Sequence, residues 1–144
     1  MKQYKILHLS ARLRENANHF LIEEMEKAGL DDITTACGDV FHALFETPGI
    51  PLTTLAEKIR RTKSPTSVMV DRLERLGYVE RHRSSKDARV QDLDLTDKSR
   101  ALKPVLDVVA ERLNEKLVAG LSAEEADTLE RLLAKANANF TTPE

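Results

Sequence analysis

The sequence predicts a mainly α-helical chain that carries one small β-hairpin. Two observations lead to this prediction. Over most of the chain, apolar residues recur three or four positions apart, which is the period of an amphipathic helix. Between residues 78 and 95 the period changes to two, with polar turn residues in the middle, which is the pattern of two short strands. The predicted order is four helices, the hairpin and two further helices.

The first two helices follow from apolar spacing and from the residues that interrupt it. Residues 9–25 place leucine, phenylalanine and methionine at helical spacing, and Gly29 ends this long first helix. Asp31 or Asp32 is suited to cap a second helix, because a carboxylate there can accept hydrogen bonds from free backbone amides. Residues 37–45 supply the apolar face of that second helix.

The middle of the chain combines two shorter helices with the hairpin. Pro51 suits the first turn of a third helix, and a fourth helix runs from about residue 64 to 76 and stops at Gly77. The segment YVERHR reads as a strand, SSKDA as the turn, and residues 89–95 as the second strand. Two strands alone are marginally stable, so we expect the hairpin to lie against helices.

The last two helices have clear starting residues. Thr96 can cap a fifth helix, and Pro104 inside it predicts a kink because its ring removes one helical hydrogen bond. Ser122, followed three residues later by Glu125, forms a capping box for a sixth helix over residues 123–139.

The long terminal helices predict a dimer. A chain of 144 residues with 41% apolar content supports one globular domain and cannot bury the apolar faces of its first, fifth and sixth helices internally. A second copy would cover those faces. The alternative is a monomer whose terminal helices cover its own middle. We therefore expect residues 1–30 and 97–144 to form a helical dimerisation region, and residues 31–96 to form a separate lobe.

The composition argues against several classes of protein. No apolar run is long enough for a transmembrane helix, and charges interrupt the N-terminus where a signal peptide has an apolar centre, so a cytoplasmic location is expected. A single cysteine, Cys37, excludes an internal disulfide and a cysteine-built zinc site. No glycine-rich phosphate loop, nucleophile motif or catalytic carboxylate pair is present, so we expect no enzyme, cofactor or metal site.

The charges are distributed unevenly along the chain. The net charge is −2, yet residues 58–100 carry twelve Lys or Arg against seven Asp or Glu, whereas the remaining residues carry ten against seventeen. An acidic frame around a basic segment is expected of a chain that presents one region to phosphates. The basic segment contains the fourth helix and the hairpin.

The third and fourth helices have the arrangement of a helix-turn-helix. On a helical wheel, the inward side of the fourth helix carries Pro65, Met69, Val70, Leu73 and Leu76. The outward side carries Lys63, Ser64, Ser67, Val68, Asp71 and Arg75. Hydroxyl groups can bond base edges in a major groove, and an exposed valine can contact a thymine methyl group. Any amphipathic helix has a polar outer face, so the pattern gains weight only from the hairpin that follows.

The hairpin concentrates four cations at or near its tip, namely Arg81, Arg83, Lys86 and Arg89. A hairpin in this position is a wing, and its tip can reach a minor groove, where the negative potential favours arginine. We expect Asp87 to accept hydrogen bonds from a neighbouring guanidinium or from turn amides, which would fix the tip with Arg89 pointing outward. A solvated charged turn is the alternative interpretation.

These segments resemble the MarR family of bacterial winged-helix regulators. The resemblance lies in LxxLAEKI, TSVMVDRLERLGYVER, KDAR and LDLTDKSRAL, and residues 87–89 meet the family's Asp-x-Arg wing pattern. It implies a winged helix-turn-helix fold with terminal dimerisation helices, and a homodimer that binds a pseudo-palindromic operator in double-stranded DNA, usually to repress. It assigns DNA contacts, by position, to Lys63, Ser64, Thr66, Ser67, Val68, Asp87 and Arg89.

Two residues depart from the family pattern. Arg61 falls where the turn usually carries a buried aliphatic residue, so either the turn is more open or Arg61 extends to a phosphate. Val68 falls where the family often has a polar or basic side chain. Arg61, with Arg72 and Arg75 on the fourth helix and the hairpin cations, completes the predicted DNA-binding set.

Members of this family often release DNA when a small aromatic acid binds between the dimer arm and the DNA-binding lobe. His8, Arg12, His42 and Phe45 lie on the two helices that would border such a cleft, so they are candidates for binding an aromatic or phenolic ligand. Two alternatives stay open. One is a redox response through Cys37, although its apolar neighbours favour a buried role. The other is a winged-helix module that binds a protein partner, against which the basic wing argues.

Overall fold

The computed structural model describes residues 1–141, which form a mainly α-helical fold with a small antiparallel sheet. The elements are, in order, α1 (Ile6–Lys27), α2 (Cys37–Glu46), β1 (Ile50–Pro51), α3 (Leu52–Lys58), α4 (Lys63–Arg75), β2 (Val79–Arg83), β3 (Gln91–Leu95), α5 (Asp97–Leu117) and α6 (Ala123–Thr141). The predicted fold class is confirmed. Residues 142–144, which end the predicted dimerisation region, lie outside the described residues.

The sheet contains a strand that the sequence pattern did not reveal. β2 and β3 pair antiparallel, with Val79 opposite Leu95 and Arg81 opposite Leu93. β1 pairs with the other side of β3, where Ile50 also lies opposite Leu93, so the order is β1-β3-β2. The predicted two-stranded hairpin is therefore corrected to a three-stranded sheet. The sequence did not indicate β1, because a strand of two residues is too short to display a period of two and its partner lies far along the chain.

A hydrophobic core holds α4 and the sheet together. It lies in the first of two compact units, Met1–Val109. Its fully buried side chains come from α2, α3, α4 and the sheet, and include Val40, Phe41, Leu44, Leu55, Val70, Leu73, Val79 and Leu93. The rings of Phe41 and Tyr78 meet edge to face, with centroids 5.6 Å apart. The elements of the predicted site are therefore positioned by one packed core.

The second unit, Ala110–Glu144, contains the end of α5 and all of α6. No described residue of α6 is buried, and Leu129 and Leu132 on this helix are exposed. The division between the units falls inside α5. The predicted division into a lobe of residues 31–96 and terminal dimerisation helices concerns assembly with a second copy, so it stays a prediction.

The predicted starts of the last two helices are confirmed. The Glu125 backbone N–H donates to Ser122 Oγ at 3.1 Å, and the Ser122 backbone N–H donates to Glu125 Oε1 at 2.9 Å, which completes the capping box. At the start of α5, Thr96 Oγ1 accepts from the backbone N–H of Ser99 at 3.4 Å. α5 continues through Pro104 as one helix.

The predicted cap of α2 is wrong. This helix begins at Cys37 without a side-chain cap, well after Asp31 and Asp32. The carboxylate of Asp32 instead accepts hydrogen bonds from the Tyr78 hydroxyl, at 2.9 and 3.1 Å. A partner that is remote in sequence therefore claims the group that local reasoning assigned to the helix end. Pro51 likewise precedes α3 as its N-cap residue and does not form its first turn.

Within residues 1–141, no helix combines the length and the apolar character needed to cross a membrane.

Candidate nucleic-acid interface

α4 is the candidate recognition helix, and its inward side is the predicted one except at Pro65, since Val70 and Leu73 are buried and Met69 and Leu76 pack against the core. Thr66, Val70 and Leu73 are the buried residues of this helix. The Thr66 hydroxyl donates to the backbone carbonyl of Thr62 at 2.8 Å, so its polar group is satisfied inside the helix. The prediction that Thr66 contacts DNA is therefore corrected. Pro65, predicted to face the core, is exposed.

The outward side of α4 presents small polar groups around one aliphatic side chain. Val68 is 69% exposed. Ser67 is half-buried beside it, and Lys63 and Ser64 are exposed at the start of the helix. Arg75 is exposed near the end. We call this outward side of α4 the reading side, because it carries the residues predicted to contact base edges. Thr66 does not belong to it.

Two of the predicted phosphate contacts are bonded within the protein. Arg61 Nη2 lies 3.6 Å from Asp39 Oδ2 on α2, and Arg72 Nη2 donates to the backbone carbonyl of Asp32 at 3.1 Å. Both interactions are at the surface, where such pairs contribute little free energy. Arg60, which precedes Arg61 in the turn, has φ of 55°, the left-handed region that glycine adopts most easily.

The wing tip is organised by Asp87. Its Oδ1 accepts from the backbone N–H of Arg89 at 3.0 Å, and the Arg89 guanidinium donates to Oδ1 and Oδ2 at 3.2 and 3.3 Å. The hydrogen bonds from the Arg89 side chain, and then from its backbone, lower the pKa of Asp87. The Arg89 side chain nevertheless stays 91% exposed. The carboxylate therefore restrains a cation that remains accessible.

Backbone bonds close the rest of the turn. The Ser84 N–H donates to the Val90 carbonyl at 2.9 Å, and the Val90 N–H donates to the Asp87 carbonyl at 3.0 Å. The Ser84 hydroxyl accepts from the Lys86 N–H at 3.2 Å. Residues 84–90 thus form a compact turn, longer than the five residues SSKDA, and the Lys86 side chain is exposed on it.

Arg81 is oriented differently from the other wing cations. Its Nη2 lies 2.6 Å from Asp71 Oδ1 and its Nε lies 3.4 Å from Glu74 Oε2, and both carboxylates belong to α4. The Arg81 side chain is only 22% exposed. The structure therefore places this predicted DNA contact between the wing and the helix. Sequence reasoning missed these partners. The feature that could have indicated them is a pair of carboxylates, Asp71 and Glu74, three residues apart on a helix whose other charged residues are basic.

Lys63, Arg83 and Arg89 line one groove of about 490 Å³. The groove joins the start of α4 to the wing, and its other lining residues are Pro51, Leu52, Thr53, Arg81, Ala88, Val90 and Gln91. Thr53 and Gln91 add polar groups that the sequence pattern did not single out. Four cations, one from the start of α4 and three from the wing, thus line one concave surface, which is electrostatically suited to a phosphate backbone.

A separate cleft of about 610 Å³ lies between α1, α2 and the end of α3. Its lining residues are Arg14, Asp39, His42, Ala43, Glu46, Lys58, Ile59, Arg60 and Arg61. Of the four predicted effector residues, the structure brings only His42 to this cleft, with its Nε2 3.3 Å from Glu46 Oε1. Phe45 is half-buried and stacks against Phe41. His8 and Arg12 are exposed on α1.

Cys37 is buried, with its Sγ 3.3 Å from Thr34 Oγ1. Burial gives little access to an oxidant, and reactive cysteines are exposed thiolates near positive charge. In the described range 1–141, no three His, Cys, Asp or Glu side chains come together as a metal site.

Comparison with known proteins relates this geometry to a family. Residues 38–90 match the model of the MarR family. Over 77 residues the chain is 35% identical to the HTH-type transcriptional repressor MdtR of Bacillus subtilis, covering 54% of this chain and 48% of that protein. Over 97 residues it is 26% identical to the HTH-type transcriptional regulator YybA of the same organism, covering 67% of this chain and 65% of that protein. The match thus spans about half to two thirds of these relatives.

A solved structure extends the similarity over nearly the whole chain. A mutant of MarR from Escherichia coli in complex with operator DNA matches with a TM-score of 0.82 and 25% identity, covering 94% of this chain and 99% of that one. MdtR and YybA are named as regulators of transcription and not as enzymes, which agrees with the class predicted from the sequence.

Proposed function

Since this chain is a MarR-family winged-helix protein, we propose that it binds a pseudo-palindromic operator as a homodimer and represses transcription of the adjacent gene. The observation that carries the proposal is the groove in which Lys63 of α4 meets Arg83 and Arg89 of the wing. A duplex can receive a helix in its major groove and a wing tip in the neighbouring minor groove. The repressor MdtR and the MarR complex with operator DNA support the proposal.

Base reading is assigned to the outward side of α4. Ser64 and Ser67 carry hydroxyls that can donate to or accept from base edges, and the exposed Val68 can contact a thymine methyl group. Both chemistries fit a major groove, since only there does each base pair present a distinct pattern of donors, acceptors and methyl groups.

Phosphate contacts are assigned to cations at the borders of the reading side, namely Arg61, Lys63, Arg72, Arg75, Arg83 and Lys86. For Arg61 and Arg72 a phosphate would replace the Asp39 carboxylate and the Asp32 carbonyl. Both exchanges take place at the surface, where the existing bonds are weak. Arg89 is assigned to the minor groove, with Asp87 limiting the directions that its guanidinium can take.

The homodimer is supported by exposed apolar side chains on the terminal helices. On α1 these are Ile6, Leu7, Leu9 and Leu13, and on α6 they are Leu129, Leu132 and Phe140. Apolar helix faces of this size are usually buried against another chain. A two-fold dimer presents two recognition helices, so half-sites about one helical turn of DNA apart are expected.

Release by a small anionic effector is the regulatory part of the proposal. The cleft beside His42 carries four cations, Arg14, Lys58, Arg60 and Arg61, against Asp39 and Glu46. Three of these cations lie in or next to the turn that precedes α4, so a carboxylate bound there would alter the support of the recognition helix. A redox response through Cys37 is disfavoured by its burial. Operator binding also requires access to the chromosome, on which ground we propose a cytoplasmic location.

The test is binding to the DNA upstream of the chain's own gene. Fluorescence anisotropy with that duplex, and with a scrambled duplex of equal length, is measured from about 50 to 200 mM KCl. About six phosphate contacts in each protomer give about twelve in the dimer, which predicts a loss of affinity on the order of 10⁶-fold over this range. Sedimentation of the free protein measures the dimer, and a promoter–reporter fusion measures repression. Equal, salt-insensitive affinity for both duplexes would leave the protein-binding module as the better interpretation.

A further inference from the structure

The register of the sheet determines which way Arg81 projects. Directly opposed residues of an antiparallel pair project to the same face. Arg81 lies opposite Leu93, and its neighbour on the same face, Val79, lies opposite Leu95. Val79, Leu93 and Leu95 are all buried. Arg81 therefore leaves β2 on the packed face of the sheet, where α4 lies, and not on the face directed to solvent.

The two carboxylates that pair with Arg81 lie on α4, close to the proposed reading side. Asp71 and Glu74 are three residues apart and so share one face of the helix. Asp71 follows Ser67 by one turn, which places its carboxylate at the border of the proposed reading side. Unpaired carboxylates there would repel the DNA phosphates. The distances of 2.6 Å from Arg81 Nη2 to Asp71 and 3.4 Å from its Nε to Glu74 place one guanidinium against both charges.

We propose that Arg81 is a positioning residue for DNA binding, which clamps the wing to the recognition helix and neutralises Asp71 and Glu74. It does not contact the DNA itself. The inference rests on the proposed function and deepens it, because it identifies the interaction that sets the wing relative to α4. Arg83 is the natural counterpart. It lies two residues further along the same face of β2, is exposed, and makes no ion pair with any residue in the described part of the chain.

The test compares Arg81→Met and Arg83→Met in the full chain, each alone and each combined with D71N/E74Q. Met keeps much of the side-chain length and removes the charge. Affinity for the upstream duplex is measured by anisotropy over the same KCl range, with D71N/E74Q alone completing both mutant cycles. Circular dichroism and thermal melting establish that each variant is folded.

The clamp predicts two results. Arg81→Met weakens binding on the order of tenfold without changing the salt slope, and D71N/E74Q restores most of that affinity, a coupling in the range found for contacting charges. Arg83→Met lowers the slope by about 0.9 for each phosphate that the variant no longer neutralises, and D71N/E74Q does not restore it. If Arg81→Met lowered the slope as Arg83→Met does, and showed no coupling to the carboxylates, Arg81 would bind DNA directly and the proposal would be overturned.

A second measurement needs no DNA and separates this inference from the proposed function. Amide hydrogen exchange of the free protein reports how firmly residues 79–90 are held. The clamp predicts faster exchange in that segment for Arg81→Met and unchanged exchange for Arg83→Met. Unchanged exchange in both variants would refute the clamp even if the wild type binds DNA. Failure of the wild type to bind DNA would refute the proposed function, whatever the exchange result.

Discussion

Replacing Arg89 by alanine tests whether the wing tip contacts DNA. Arg89 is 91% exposed and its guanidinium is held by Asp87. Its removal takes no side chain from the core, so the fold and the proposed dimer should persist. If each Arg89 replaces one counterion on DNA, the slope of log K against log salt for a dimer with two wings decreases by about 1.8.

The slope gives a magnitude for the experiment. Between about 50 and 200 mM KCl, a fourfold change, a slope difference of about 1.8 changes the ratio of the two affinities about twelvefold. A variant that binds about 30-fold more weakly than wild type at low salt should therefore bind only about two- to threefold more weakly at high salt. Fluorescence anisotropy with the upstream duplex at four or five KCl concentrations resolves this convergence.

A matched control is Arg131→Ala, which removes the same charge from an exposed position on α6. It should leave the slope unchanged, since α6 is no part of the proposed interface. Parallel salt curves for Arg89→Ala and wild type, at equal affinity, would refute the wing contact. Parallel curves with a constant affinity deficit would show that Arg89 acts through the shape of the turn and not through its charge.

Two further predictions concern base reading and stability. Val68→Ala should change the relative affinities for duplexes that differ at thymine positions more than it changes the average affinity for DNA. A uniform decrease across a panel of duplexes would reject the methyl contact. Tyr78→Phe removes the hydroxyl that donates to Asp32 and should lower the free energy of unfolding by about 1–2 kcal/mol, measured by urea denaturation. Burial, followed by the hydrogen bond and charge of Asp32, raises the pKa of Tyr78 from 10.0 to about 12, so this stabilisation should be complete below pH 10 and lost as the pH rises through 12. The pH-dependent loss should be absent in Tyr78→Phe.

Features that depend on neighbouring residues were predictable from the sequence. Gly29 and Gly77 follow α1 and α4 with φ of 78° and 84°, a conformation that glycine adopts without strain. The capping box at Ser122 needs only a residue three positions away. The wing pair of Asp87 and Arg89 is equally local, which is why the geometry of the tip agrees with the expectation.

The errors on α4 have a different origin. The helical wheel counts proline as apolar and so places the exposed Pro65 on the inward side, and the family resemblance assigns the buried Thr66 to DNA. Thr66 behaves as a small apolar residue, because its hydroxyl is bonded to the carbonyl of Thr62 and leaves its methyl group for the core. Hydrophobicity alone does not record that internal bond.

The remaining errors concern partners that are distant along the chain. Asp32 accepts hydrogen bonds from Tyr78 and does not cap α2, and Arg81 pairs with Asp71 and Glu74, a contact that its local sequence does not indicate. The strand at Ile50 exists because β3 offers an unpaired side. The partners of Asp32, Arg81 and Ile50 become known only when the fold is known, because they lie far away along the chain.

The short strand β1 also affects how the protein behaves at high concentration. A sheet with free edges can pair with the edge of another molecule, which is a common start of aggregation. Here one edge is β1, only two residues long and ending at Pro51, which has no backbone N–H to donate. The other edge, β2, carries four consecutive charged or ionisable side chains from Glu80 to Arg83. The wing can therefore project from the fold without recruiting neighbouring wings into a continuous sheet.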